Sequence, residues 1–466
     1  MPSRREQIQS YQYLMRRVVN AFVAGEADPA QSPTRRLAGA GYASVMIALL
    51  VLAVVGVIGL IRHGGNTSWR DGDAVVIEQE TGTRYVYRDG VLYPVANYSS
   101  AVLAIGQPAT TVSVSRESLT GATRGPLIGI AGAPDALPPA SRMSGAPWSM
   151  CAVAGRDAGG GPTVSSQILV GTAPTGGRDL GDAAILVRAA GGPSFLIWNA
   201  HRYRLEAQRT LAAMGIDAQP RVLVDEAWLG TVPQGLPITQ PQVDNRGKAS
   251  SAMRNNLIGQ VLTVTVGGAT TGYLVRDRDI LPVTQVEQAL ILADPGTAVA
   301  YPGGNPQARQ IQASDVANVT KASRPRSDLD PPGQVPSMAA VDPASTLCTT
   351  WADGQGGPRF VVDADRRPEG AGIASAGTAA DQVATRVVVP SGGGAVVRSA
   401  QSTGADAGQI FLVTDQGRRY ALMSPAQLAW FGYGGVKPVE LPSFVVARVP
   451  AGPGLDPRAA QRPLTG

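Results

Sequence analysis

The stretch "TGTRYVYRDGVLYPV" (residues 81–95) decides how this chain of 466 residues folds. Apolar and polar residues alternate on both sides of Asp89–Gly90, which is the pattern of two strands joined by a tight turn. If such a stretch occurred only once, it would be a candidate for a functional loop. If it recurs along the chain, it is more typical of a structural repeat.

The pattern recurs in "GGPSFLIWNAHRYRL" (191–205), which aligns with the first copy without gaps when Gly192 is set over Gly82. The matched pairs are Tyr85 with Phe195, Val86 with Leu196, Asp89 with Asn199 and Tyr93 with Tyr203. The two stretches are therefore predicted to be copies of one structural unit.

Two further copies follow. The third is "GGATTGYLVRDRDILPV" (267–283), with two residues inserted after Gly268. The fourth is "DQGRRYALMSPAQLAWFG" (415–432), in which Gly417 and Tyr420 are matched to Gly82 and Tyr85 and the run "IFLVTDQ" is taken as the first strand. A stretch that can be helical follows each hairpin, so the predicted unit is hairpin, short helix and further strand.

The order of the copies predicts a duplicated half. Copies one and two enclose "WSMCAV" (148–153), and copies three and four enclose "TLCTTW" (346–351), so each half contains repeat, cysteine segment and repeat. We expect an α+β fold with four small repeats around a β-rich central core with pseudo-twofold symmetry, because repeats this small cannot bury a core alone. The expected bounds are 74–123 for repeat 1, 124–188 for core segment A, 189–256 for repeat 2, 258–320 for repeat 3, 335–408 for core segment B and 409–455 for repeat 4.

An uncharged apolar segment, residues 37–61, precedes the repeats. About 25 helical residues reach about 37 Å, enough to cross a hydrocarbon core of about 30 Å. A cleavable signal peptide would have a shorter apolar region, so the segment is predicted to be an uncleaved transmembrane anchor.

Arginines predict the orientation of this anchor. Those that precede it are Arg4, Arg5, Arg16, Arg17, Arg35 and Arg36, and those close behind it are Arg62 and Arg70. Because the more positive flank stays in the cytoplasm, we expect a single-pass membrane protein with residues 1–36 inside and the repeats outside. The opposite topology is the alternative.

The N-terminal segment is predicted to form an amphipathic helix. The apolar side chains of "EQIQSYQYLMRRVVNAFVAGE" (6–26) recur three or four residues apart. The predicted partner-binding set is Ile8, Tyr11, Leu14, Met15, Val18 and Phe22. A lone helix of this length is marginal in water, so its apolar face is expected to bind a protein, or alternatively the inner membrane surface.

The chain contains two cysteines, Cys151 and Cys348, both on the side predicted to be exported. Thiols in an oxidising compartment most often pair, although two separate buried thiols are the alternative. A bond between them would close a loop of about 200 residues, for which the loop-entropy model gives about 5 kcal/mol.

Motifs for nucleotide chemistry are missing from the sequence. A P-loop needs a glycine, four residues and Gly-Lys-Ser/Thr, but Gly247–Lys248 is followed by Ala249 and preceded by Gln242 at the first glycine position. The glycine-rich "GGGPTVSS" (159–166) lacks the strand and helix of a dinucleotide site.

Candidate metal ligands and general bases are equally few. His63 lies at the membrane boundary and His201 within a repeat hairpin. Asp363 and Asp365 begin like a calcium loop, but glycine is missing at the sixth position and Ala374 occupies the twelfth. Asp225 and Glu226 are adjacent, so their side chains diverge if they lie on a strand. No catalytic residue, metal or cofactor is predicted.

The net charge of +5 comes almost entirely from scattered arginines, since the chain has three lysines. No basic stripe with interleaved aromatic residues occurs, so nucleic acid is not expected as a partner.

Several segments together resemble the EccB family, a membrane component of the type VII (ESX) secretion apparatus. They are "YLMRRVVNAF" (13–22), "WRDG" (69–72), "TGTRYVYRDGVLYPVANYSSAVLAIG" (81–106), "GPLIGIAGAPDALP" (125–138) and "WSMC" (148–151). The resemblance covers essentially the whole chain, and residues 82–103 are its most specific part.

The resemblance implies an elongated periplasmic part of four modules around a core tied by a Cys151–Cys348 disulfide. It implies assembly with an EccC-like FtsK/SpoIIIE-type ATPase, EccD-like and EccE-like membrane subunits and other EccB copies, with peptidoglycan contact through modules similar to those of phage lysins. The expected function is a structural and assembly subunit. The alternatives are a periplasmic ATPase, a label that some family members carry, and a stand-alone peptidoglycan-binding membrane anchor.

Overall fold

The computed structural model describes residues 3–25, 33–61, 67–352, 357–365, 372–375, 382–400 and 408–464. Arg62 and His63 lie outside these ranges. The architecture combines helices with a β-rich region, so the predicted α+β class is confirmed.

Two helices come first, α1 (Arg4–Ala24) and α2 (Pro33–Ile61). A capping box starts α1, in which the amide of Ser3 donates to Glu6 Oε2 at 2.8 Å. Gly25 ends the helix with φ 71°, a conformation that glycine adopts without steric cost. Among the described residues, α2 is the one helix long and apolar enough to cross a membrane, over Ala38–Val57.

Repeat 1 is a five-stranded sheet with one helix on it. Its elements are a 3-10 helix (Ser68–Asp71), β1 (Ala74–Glu78), β2 (Arg84–Arg88), β3 (Val91–Pro94), α3 (Tyr98–Ile105), β4 (Thr110–Val114), a 3-10 helix (Arg116–Leu119) and β5 (Thr123–Arg124). The strand order is β4-β1-β2-β3-β5. Asp89 (φ 50°) and Gly90 (φ 80°) form the β2–β3 turn that their sequence predicts.

The first cysteine segment and repeat 2 follow. A 3-10 helix (Ala140–Arg142) precedes the central strands β6 (Trp148–Arg156), β7 (Pro162–Leu169) and β8 (Gly176–Asp179). Repeat 2 consists of β9 (Ile185–Ala189), β10 (Ser194–Trp198), β11 (His201–Leu205), α4 (Gln208–Ala213), β12 (Arg221–Val224) and α5 (Glu226–Leu229). Its order β11-β10-β9-β12 includes β9, so the sheet begins before the expected bound at residue 189.

Repeat 3 and the second cysteine segment come next. Repeat 3 consists of β13 (Val261–Val266), β14 (Ala269–Val275), β15 (Ile280–Val283), α6 (Gln285–Ala293), a 3-10 helix (Pro295–Ala300), β16 (Arg309–Gln310) and a 3-10 helix (Ala313–Val316), with the order β15-β14-β13-β16. The central strands are β17 (Leu347–Trp351), β18 (Arg359–Ala364), β19 (Ile373–Ala374) and β20 (Arg386–Val388).

Repeat 4 differs from the expected register. Its elements are β21 (Gly394–Ala400), β22 (Gln409–Thr414), β23 (Arg419–Ala421), α7 (Gln427–Trp430), β24 (Val439–Pro442), α8 (Ser443–Val446) and α9 (Pro457–Ala460). The order β23-β22-β21-β24 makes β21 its first strand, so the expected start at residue 409 and the choice of "IFLVTDQ" as first strand were wrong. The reason is that glycine precedes tyrosine by three residues in both hairpins of repeat 1, and Gly417–Tyr420 corresponds to the second, Gly90–Tyr93.

Every repeat continues past its fourth strand in the same way, first with a short helix and then with a segment parallel to the third strand. The equivalent short helices are Arg116–Leu119, α5, Ala313–Val316 and α8. The parallel pairs are Leu92 with Arg124, Arg202 with Gln234, Ile280 with Lys321 and Arg419 with Ala451. The repeat is therefore longer than a hairpin, helix and strand.

One residue after each of these parallel pairs, the parallel segment and the third strand contact each other again. The pairs are Tyr93 with Gly125, Tyr203 with Gly235 and Tyr420 with Gly452, and in each of them a Cβ on the glycine would overlap the tyrosine ring. In repeat 3 the same positions hold Leu281 and Ala322, and the amide of Ala322 donates to Ile280 O at 2.9 Å. A smaller side chain on the strand thus accompanies a larger one on the segment.

The two halves exchange strands in a seven-stranded central sheet, ordered β19-β20-β7-β6-β17-β18-β8. Strand β20 of the second half lies beside β7 of the first, and β8 of the first lies beside β18 of the second. At the middle, β6 and β17 pair antiparallel, with Cys151 opposite Cys348 and Trp148 opposite Trp351.

Repeats from different halves pack together. Val102 and Val75 of repeat 1 share a core with Leu412 and Tyr420 of repeat 4. Leu196 and Leu211 of repeat 2 share a core with Val286 and Leu290 of repeat 3. Repeats 2 and 4 also pack on the central sheet, through residues that include Val187, Trp228, Val397 and Val413. The four repeats therefore form two lobes. One lobe contains repeats 1 and 4, the other contains repeats 2 and 3, and both pack on the central sheet.

Candidate functional site

Helix α1 presents an apolar face that no other described part of the chain covers. All six residues of the predicted partner-binding set are exposed, from 49% for Met15 and Val18 to 90% for Phe22. At 3.6 residues per turn these six side chains fall within a sector of about 120°. On another side of the helix, the guanidinium of Arg17 lies 5.9 Å from the ring centroid of Tyr13.

Such a face is suited to docking against another apolar surface. Burying one large apolar side chain stabilises a contact by about 1.5–3 kcal/mol, and α1 offers several on one face. The whole of Ala38–Val57 in α2 is also exposed, so both N-terminal helices present apolar surface without a counterpart among the described residues.

The disulfide lies at the centre of the molecule. Cys151 and Cys348 are bonded with an S–S distance of 2.08 Å, are 5% and 0% exposed, and pack with Leu169 and Ala364. The bond joins the middle strand of one half to the middle strand of the other. It therefore links the two halves of the chain at the centre of the sheet that they share.

Two of the carboxylates that the sequence singled out, Asp225 and Asp363, have structural partners. Asp225 caps α5 by accepting from the amide of Trp228 at 2.9 Å, and burial raises its pKa although hydrogen bonds from Ser166 and Trp228 oppose the rise. Asp363 accepts from Ser345 Oγ at 2.5 Å. The described residues contain no group of three or more His, Cys, Asp or Glu side chains placed to hold a metal ion.

The remaining candidates also sit in turns and hairpins. Lys248 Nζ donates to Asn245 Oδ1 at 3.0 Å, and Gly247 lies against the backbone of Val299, so this Gly-Lys pair is part of a turn. His201 Nδ1 lies 2.8 Å from Asn199 O inside the β10–β11 turn.

A polar network between repeats 2 and 3 escaped the sequence analysis. Arg246 Nη1 lies 2.5 Å and Gln240 Nε2 lies 2.7 Å from Asp294 Oδ2, and the amide of Gly296 donates to Asp294 Oδ1. Burial alone would raise the pKa of Asp294, but these three hydrogen bonds outweigh it and lower the pKa to about 2. No local pattern marks this group, because its members come from three separate segments.

The tyrosine–glycine contacts were also missed, although the sequence contained a signal. In repeats 1, 2 and 4 the glycine follows the tyrosine by 32 residues. That spacing would also have given the correct register of repeat 4.

Comparison with known proteins agrees with the resemblance. Residues 1–464 match the model of the family described as type VII secretion system ESX-1, transport TM domain B. The ESX-1 secretion system ATPase EccB1 of Mycolicibacterium smegmatis is 26% identical over 97% of this chain and 94% of its own length. The ESX-3 secretion system ATPase EccB3 of Mycobacterium tuberculosis is 25% identical over 97% of this chain and 88% of its own.

Solved structures share the fold. A chain of the intact ESX-5 inner membrane complex matches with a TM-score of 0.62 at 22% identity, covering 100% of this chain and 96% of that one. The EccB3 dimer from the ESX-3 core complex matches with a TM-score of 0.62 at 21% identity, covering 83% of this chain and 99% of that one. Because the family match extends from residue 1 to residue 464, this chain belongs to the EccB family of type VII secretion systems.

Proposed function

We propose that this protein is a structural and assembly subunit of an inner-membrane type VII secretion complex. The observation that carries the proposal is the family match along residues 1–464, since it includes both N-terminal helices and all four repeats. The solved structures of similar fold come from ESX inner membrane complexes and from an EccB3 dimer, which supports assembly with other secretion subunits and with further copies of this chain.

The proposed arrangement places each part of the chain in one compartment. Helix α1 lies in the cytosol, α2 crosses the membrane and the repeats lie in the periplasm, with the arginine asymmetry around residues 37–61 as support. The apolar face of α1 binds cytosolic or membrane subunits, namely EccC-like, EccD-like and EccE-like proteins. The lobes contact other copies of this chain and the peptidoglycan of the cell wall.

Gentle solubilisation through a tag on this protein, followed by identification of everything recovered, tests the proposal. Recovery of an FtsK/SpoIIIE-type ATPase and a polytopic membrane subunit in stoichiometric amounts is the expected result. Recovery of this protein alone, as a small oligomer, would overturn it.

A second candidate is nucleotide hydrolysis, because curated relatives are named ATPases. Such an activity would have to use a site other than a P-loop, since the sequence contains none. The test is ATP turnover by the highly purified protein. Turnover that disappears with a single substitution would support hydrolysis, whereas turnover that disappears as contaminants are removed would exclude it.

A further inference from the structure

A cleft of about 170 Å³ lies where repeat 2 meets repeat 3. Three segments form its walls. They are α4, through Thr210 and Ala213, the chain after the parallel segment of repeat 2, through Ile238, and the C-terminal end of α6, through Leu290 and Ala293. Ala213 and Ala293 project little from these helices, so a backbone could approach them closely. Polar or charged side chains also line the cleft, namely those of Glu206, Arg209, Gln240 and Asp294.

The corresponding place in the other lobe is filled by a helix of this chain. Helix α9 packs there, with Ala460 fully buried in the core that repeats 1 and 4 share. Gln461 Nε2 donates to Ala104 O, at the C-terminal end of α3, at 3.2 Å. The seat of α9 includes the end of α3, which corresponds to α6, and its core contains Leu428 of α7, which corresponds to α4.

The two places are equivalent through the repeat pattern. Leu455 and Ile238 each lie three residues after the glycine that contacts the third-strand tyrosine, and both are buried. Each amide donates to the third-strand residue after that tyrosine, Leu455 to Ala421 at 2.8 Å and Ile238 to Arg204 at 3.3 Å.

After Leu455 and Ile238 the two segments differ in structure. After Leu455 the chain forms α9, which begins with Pro457 and is capped by Asp456. After Ile238 the chain forms no helix: Thr239 and Gln240 line the cleft, and Gln240 donates to Asp294 at the end of α6. The lobe of repeats 2 and 3 therefore has the seat without the helix.

We propose that this cleft binds a short helical segment of another protein chain with the chemistry of α9. That chemistry is two adjacent small side chains facing the cleft, as Ala459 and Ala460 are adjacent in α9, followed by an amide donor such as Gln461 that reaches a carbonyl at the end of a helix. Small residues let two helices approach closely, and the amide satisfies a carbonyl that the helix leaves unpaired.

The test uses the full-length protein in detergent and a fluorescent peptide with the sequence of residues 453–464 as the probe. Saturable binding of one peptide per chain is expected. The substitutions Ala213→Trp and Ala293→Trp fill the cleft and should weaken binding about tenfold or more. Ala212→Trp is the matched control, because Ala212 is an exposed residue of α4 outside the cleft.

A peptide in which both alanines are replaced by glutamate should not bind. Absence of saturable binding would overturn the proposal. Equal affinity for the three tryptophan variants would overturn it as well, because that result would place the peptide elsewhere, such as in the seat of α9. Thermal melting of each variant shows that the fold is intact.

Discussion

Gly235 lies against the ring of the fully buried Tyr203, so closely that a Cβ on the glycine would overlap the ring. The two residues join the third strand of repeat 2 to its parallel segment. Repeat 3 has Leu281 and Ala322 at the same positions. The two side chains of this pair together fill about the same volume as those of the tyrosine–glycine pair.

Gly235→Ala should therefore destabilise the protein by about 1–3 kcal/mol, because the tyrosine ring has no free space to move into. Adding Tyr203→Leu should restore part of the loss by reproducing the pair of repeat 3. Thermal melting of the full chain measures both effects. Gly435→Ala is the control, since nothing lies within 4 Å of a Cβ there. A double variant that melts no higher than Gly235→Ala would contradict the equivalence of the two pairs.

The disulfide should contribute about 2–5 kcal/mol to the free energy of unfolding, since it closes a loop of 197 residues between the middle strands of the two halves. Reductant should lower the urea midpoint of the native protein. The double variant Cys151→Ala/Cys348→Ala should start at that lower midpoint and should not respond to reductant. A reductant effect of equal size in the double variant would show that the bond is not the cause.

Acid should weaken the contact between repeats 2 and 3 through Asp294. Its pKa is lowered from 3.8 to about 2 in the folded protein, so its contribution to stability is present above pH 3.8 and is lost as the pH falls towards 2. Asp294→Asn should lower the melting temperature at pH 5 and make little difference near pH 2. Asp89→Asn, at an exposed turn residue, serves as the control. A difference between native protein and Asp294→Asn that stays constant from pH 5 to pH 2 would contradict this role.

The triple change Leu14→Asp, Val18→Asp and Phe22→Asp should detach the protein from its secretion complex, because it places three charges on the apolar face of α1. The repeats should still melt normally, since α1 lies outside their cores. Native gel electrophoresis of the solubilised complex, together with a secretion assay, measures the effect. Tyr13→Asp, on another side of the same helix, is the control. Normal complex size and secretion in the triple variant would show that this face has no role.

The sequence by itself determined the local structure and the family. Alternation around Asp89–Gly90 predicts a hairpin because side chains of a strand point to opposite faces in turn, and the uncharged run of residues 37–61 predicts a spanning helix from length alone. The apolar spacing in α1 similarly predicts its exposed face. Each of these properties depends on residues within one or two turns of each other.

Only the tertiary structure decided which units meet. That repeat 1 packs on repeat 4, that β8 and β20 cross to the other half, and that Asp294 meets Arg246 all depend on packing between segments distant in the chain. The register of repeat 4 was ambiguous for the same reason, since glycine and tyrosine have the same local spacing in both hairpins. Strand pairing removed the ambiguity because Gly394–Ala400 completes the sheet of repeat 4. Similarly, the contact between Tyr203 and Gly235 stabilises the protein only once the sheet of repeat 2 has formed.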